Sequence, residues 1–132
     1  MSPELQSHFF NLYAIALADT EFNEKEVSLM YELAEEKGIS REEMDALILN
    51  SSSTPPVYPE TIVEKIEYLY DYARIILADG IVHDEEVKSL QKFCLKFQFA
   101  EQNVSTISEL LIEAARNGIS KEDVLTFVTQ NN

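Results

Sequence analysis

Apolar residues recur along this chain every three to four positions, the spacing of one face of a helix and not of a strand. Leu5, Phe9, Leu12, Ile15 and Ala16 form a first stripe, preceded by Ser2-Pro3-Glu4, which reads as an N-cap, a proline at the first helical position and an acid in the first turn. Asn23-Glu24-Lys25-Glu26 has the spacing of a capping box and opens a second helix, with Val27, Met30, Tyr31 and Ala34 on one face and Gly38 as its left-handed stop. Ser40-Arg41-Glu42-Glu43 opens a short third helix through Met44, Leu47 and Ile48.

The stretch "NSSSTPPVYPE" (Asn50–Glu60), with adjacent prolines, breaks the helical pattern and predicts a loop between two halves. A fourth helix starts near Pro59 or Thr61 and turns Ile62, Ile66, Leu69, Ala73, Ile76 and Leu77 inward. A fifth begins near Asp84 with Val87, Leu90, Cys94 and Phe97. A sixth begins between Ala100 and Ser105, carries Val104, Ile107, Leu111 and Ala114, and closes at Asn117-Gly118. Ser120-Lys121-Glu122-Asp123 caps a short seventh, with Val124, Phe127 and Val128. No segment reads as a strand. The expectation is an all-α chain of about seven helices forming a single domain over 1–132.

The halves are related. "IALADTEFNEKEV" (Ile15–Val27) and "IILADGIVHDEEV" (Ile75–Val87) share Ile, Leu, Ala, Asp, Glu and Val at an offset of sixty. This predicts duplicated helix pairs packed about a pseudo-twofold, with repeat one over about 3–50, a loop over 50–60 and repeat two over about 61–130. "GISREE" (Gly38–Glu43) and "GISKED" (Gly118–Asp123) echo each other at an offset of eighty, a reused helix–turn–helix solution in a different register.

Each copy places an aspartate, Asp19 or Asp79, at the end of a helix, where the dipole is unfavourable for an acid. The next helix begins a few residues later, and that carboxylate can accept from its unpaired N–H groups. Glu26 and Glu86 stand where a capping-box glutamate folds back. Capping alone accounts for the pattern without a ligand. A second reading makes Asp19, Glu26, Asp79 and Glu86 oxygen ligands of a divalent cation, with Asn23 and His83 near enough in sequence to add donors. An EF-hand is excluded, because the loop positions that need glycine and glutamate hold Glu24 and Met30 in one copy and Asp84 and Leu90 in the other.

These corners resemble the two repeats of the TerB-like tellurite-resistance family, whose mark is an "ADG" corner followed seven residues later by glutamate. The resemblance covers most of the chain. It implies a compact, pseudo-twofold helical bundle, bacterial stress-associated or membrane-proximal assemblies, and no established enzyme activity. It also implies suspected metal interaction, carried over by position to Asp19, Glu26, Asp79 and Glu86. Related domains occur fused to J-domain co-chaperones. Thr20 stands where the family has glycine in the first copy.

Charge narrows the partners. Residues 1–66 carry 13 acids and four bases and residues 67–132 carry 11 acids and six bases, which gives the formal net charge of −14. No basic stripe is present to neutralise phosphates, so nucleic acid is not the expected partner, whereas cations and basic proteins are. No apolar run approaches membrane-spanning length, and "MSPELQSHFFNLY" lacks the basic start and apolar run of a signal peptide, so a cytoplasmic location without membrane insertion is expected.

The single cysteine, Cys94, lies among Phe93, Leu95 and Phe97 and reads as a buried structural thiol. Tyr68, Tyr70 and Tyr72 read as half-buried packing residues or, alternatively, as an aromatic patch for a partner. No glycine-rich phosphate loop, HExxH string or Ser/His/Asp order is present, and no catalytic residue is assigned. The functional expectation is a non-enzymatic interaction or divalent-metal-sensing module of a stress pathway. The alternative is an acidic adaptor or immunity-type protein that docks a basic protein without metal.

Overall fold

The computed structural model describes residues 3–16, 24–49, 57–78, 80 and 82–130. Seven helices lie among them: α1 (Pro3–Ala16), α2 (Glu24–Glu36), α3 (Arg41–Leu49), α4 (Ile62–Ile76), α5 (Asp84–Lys96), α6 (Glu101–Arg116) and α7 (Lys121–Gln130). No strand occurs among the described residues, and the helices pack as an all-α bundle. Asp19, Thr20, Asn23 and Asp79, the Ser2 cap and residues 50–56 of the expected loop lie outside the described residues.

The bundle is built around α4, which packs against α1, α2, α5, α6 and α7. Its buried residues are Ile66, Leu69, Tyr70, Asp71, Tyr72, Ala73, Ile75 and Ile76, so it is enclosed on nearly every side and not along one stripe. The largest side chains beneath it include Phe9, Leu12, Ile15, Met30, Leu33 and Phe97, all almost fully buried. Tyr70 adds a polar tie, its hydroxyl donating to the Ile119 carbonyl at 2.6 Å between α6 and α7.

The offset of sixty extends beyond the repeated corner. Helices α2 and α5 start at Glu24 and Asp84, and helices α3 and α6 start at Arg41 and Glu101. Three of the expected caps, at Ser40, Thr61 and Ser120, form among the described residues. At α3 the pair is reciprocal: Glu43 N–H donates to Ser40 Oγ at 3.1 Å, and Ser40 N–H donates to Glu43 Oε1 at 3.2 Å. Thr61 Oγ1 accepts from Glu64 N–H and Ser120 Oγ accepts from Asp123 N–H, both at 3.2 Å.

Three helices stop by the same left-handed turn. Gly38 (φ +79°) follows α2, where Ile39 N–H bonds the Ala34 carbonyl at 2.9 Å; Gly118 (φ +70°) follows α6, where Ile119 N–H bonds the Ala114 carbonyl at 2.8 Å. After α5 the turn is made by Gln98 (φ +71°), with Phe99 N–H on the Cys94 carbonyl at 3.1 Å. Gln98 is the counterpart of Gly38 in the second repeat and carries a side chain where the backbone conformation disfavours one. Gln98→Gly is therefore expected to stabilise the protein by about 1 kcal/mol and to raise the melting temperature by about 3 °C. A lower melting temperature in a thermal scan would show that the glutamine side chain contributes more than its backbone costs.

Candidate functional site

The repeated corner places its two glutamates alike. Glu26 and Glu86 each sit in the first turn of a helix and are 1% and 0% exposed. That is unusual within this molecule, because the first-turn acids Glu42, Glu43, Glu101, Glu122 and Asp123 are all exposed. A capping box alone leaves its glutamate in water, as Glu43 demonstrates. Burying a carboxylate requires compensating donors or positive charge. Near Glu86, His83 Nε2 lies 3.9 Å from Oε1. His83 is the N-cap residue of α5 and makes no side-chain capping bond. Gly80, with φ +80°, takes the left-handed conformation that the corner needs.

Of the four residues assigned to the suspected cation site, Glu26 and Glu86 are thus placed as buried, equivalent acids, while Asp19 and Asp79 lie outside the described residues. Among the described residues no three His, Cys, Asp or Glu side chains converge as a ligand set. Beside the corner an open groove of about 420 Å³ runs along α2, lined by Glu24, Lys25, Ser28, Leu29, Glu32 and Ala78.

A second polar cluster was not visible in the sequence. His8 on α1 and Asp71 on α4 have side chains that are 0% exposed, with His8 Nε2 3.0 Å from Asp71 Oδ2. Lys37, just beyond α2, approaches the same oxygen at 3.7 Å, and Lys121, opening α7, approaches Oδ1 at 3.6 Å. Both lysines also pair with Glu67, at 3.2 and 3.8 Å. Burial pushes the Asp71 carboxyl up, but the His8 hydrogen bond, with the charges of His8, Lys121 and Lys37, outweighs burial and holds it below the usual carboxylate range. His8 is held below its ordinary value, chiefly because burial disfavours the charged ring.

The seam between α1 and α4 continues on either side. His8 stacks on Tyr68 at 4.0 Å between ring centroids, and Asn11 Nδ2 donates to the Tyr72 hydroxyl at 3.3 Å. Glu4 lies against Glu64 and Tyr68; the hydrogen bond with Glu64, then burial, raises its carboxyl. Contacts therefore advance together along both helices, so α1 and α4 run in the same direction with Glu4 opposite Glu64 and His8 opposite Tyr68. These are sequence-equivalent positions, sixty apart.

Cys94 lies at the end of α5, fully buried, and burial pushes its thiol up to about 12. No helix among the described residues is long and apolar enough to cross a membrane. No family model, curated protein or solved structure matches the chain.

Proposed function

We propose that this protein is a non-enzymatic interaction module that presents an acidic surface to a cationic protein partner, and that it is a TerB-like domain of a cytoplasmic stress pathway. The observation that carries the reading is where the basic side chains go. Lys37 and Lys121 face inward on Asp71 and Glu67, Arg74 reaches Glu36 at 4.0 Å, and Arg116 pairs with Glu113 on its own helix. Arg41 lies over the Tyr31 ring, and Lys65 and Lys96 lie over Phe99 and Phe93. Meanwhile Glu24, Glu32, Glu35, Glu36, Glu42, Glu43, Asp84 and Glu85 are exposed on α2, α3 and α5. With so many bases engaged locally, a net charge of −14 acts outward and favours encounter with basic surfaces.

The test is capture of partners from the native cell on immobilised protein, beside a variant carrying Glu32→Lys, Glu35→Lys and Glu36→Lys. A partner bound through the acidic face is released by about 0.5 M salt and is missed by the variant, since exposed charges are screened within a few ångströms at that strength. Retention in high salt, or equal capture by the variant, would overturn the reading.

The matched burial of Glu26 and Glu86 favours a second reading, in which the repeated corners bind a divalent cation and couple its occupancy to the surface beside them. Calcium, magnesium, manganese or zinc at about 100 times the dissociation constant would then stabilise the wild type by about 2.7 kcal/mol. The Glu26→Gln/Glu86→Gln double variant would lose that response. Calorimetry without heat of binding, together with melts indifferent to all four ions, would sink the cation reading and leave the first one standing.

A further inference from the structure

The charges around Asp71 balance without help from His8. Asp71 and Glu67 supply two negative charges, and Lys37 and Lys121 supply two positive ones, all within 3.8 Å of a partner. The carboxylate can only accept, so the neutral imidazole donates Nε2–H to it. That assignment leaves Nδ1 as an acceptor, and Nδ1 is buried with no hydrogen-bond partner. An idle acceptor is tolerable in an apolar setting. A proton added there would create a buried donor with no acceptor and one positive charge beyond the balanced set. The docked position of α1 thus fits a neutral His8 and disfavours the imidazolium.

We infer that His8 is a proton-operated latch: α1 stays docked on α4 while the imidazole is neutral and is released when the ring is protonated under mildly acidic conditions. Release returns the ring to water and to its ordinary value of 6.5. The undocked state then binds more protons than the docked one, so docking is fully supported above that pH and weakens as pH falls below it.

The other groups facing His8 do not mimic this response. The Asp71 carboxyl is depressed from 3.8, so its contribution to docking persists until pH falls below that range. Lys37, Lys121 and Glu67 complete the charged set around Asp71, and burial raises Tyr68 and Tyr72 further from the window. Glu4 works in the opposite sense. Its raised carboxyl supports docking at acid pH and loses that support as pH rises through its folded value, which partly offsets His8. Opening of α1 would uncover Tyr68 and Tyr72 on α4, against which His8 packs at 4.0 and 5.1 Å.

Amide hydrogen exchange between about pH 7.5 and 5, corrected for the intrinsic pH dependence of exchange, tests the latch. Below about pH 6.5, protection in α1 is expected to fall by up to about tenfold per pH unit, while protection in α6, which does not pack on α1, holds. In His8→Gln the amide still donates to Asp71 but cannot titrate, and α1 protection is expected no longer to fall towards acid pH. Constant α1 protection in the wild type, the same slope in His8→Gln, or a parallel loss in α6 would each overturn the latch. Should His8→Gln fail to fold, titration of the wild-type imidazole by NMR decides. Protonation near pH 6.5 with α1 still protected would refute the latch; a ring that titrates only together with α1 opening supports it.

Discussion

Asp71→Ala is expected to destabilise the protein by about 4 kcal/mol, measured by urea unfolding followed by circular dichroism. The carboxylate is the shared partner of His8, Lys37 and Lys121, and it is completely buried. Removing it leaves two partly buried ammonium groups with Glu67 as their one shared carboxylate and an imidazole N–H without its acceptor. Each of those defects carries its own penalty, so the loss exceeds that of any single hydrogen bond. A loss below about 1 kcal/mol would mean that water replaces the carboxylate freely, as at an exposed ion pair.

Tyr72→Ala is expected to cost a similar amount, about 4 kcal/mol, for a different reason. The Tyr72 ring is fully buried and lies 5.1 Å from His8, 5.1 Å from Phe93 and 6.2 Å from Phe97 between centroids. Its ring neighbours come from α1 and from α5 with its C-cap, so filling the space would need both helices to move. Tyr72→Phe separates packing from polarity: it deletes only the hydroxyl that accepts from Asn11 and should cost about 1 kcal/mol. If the two variants unfold at the same urea concentration, the packing argument fails.

Local features of this fold were open to reading from the sequence because they are written in neighbouring residues. Ser40 with Glu43, Thr61 with Glu64 and Ser120 with Asp123 cap their helices as their spacing implies. Gly38 and Gly118 stop theirs with positive φ. The turn at Gln98 was missed because glutamine is not a residue that advertises a left-handed turn. Only its place sixty residues after Gly38 gives it away. Phe97, which the periodicity places within α5, instead caps its end.

The candidate sites were less legible. The repeat singled out Glu26 and Glu86, but their burial follows from the way the corner packs, which spacing does not encode. The His8–Asp71 pair joins residues 63 apart and depends on α1 lying beside α4 in the same direction. Amphipathic periodicity assigns each helix a face but does not say which faces meet. One signal was available: Asp71 interrupts the otherwise apolar run from Leu69 to Ile76, broken only by Arg74, on a helix enclosed on nearly every side. An acid in such a place must find partners, and the second repeat supplied no hint that one would be a histidine on the first helix.

The solitary thiol has a practical consequence. Cys94 is the chain's single cysteine, sits wholly out of reach of solvent, and has burial pushing its ionisation up to about 12. An alkylating reagent at mildly alkaline pH meets neither an accessible sulfur nor an appreciable thiolate until the surrounding helices part. The molecule therefore carries an internal clock for its own breathing. The pace of labelling at one atom counts the openings of the interior.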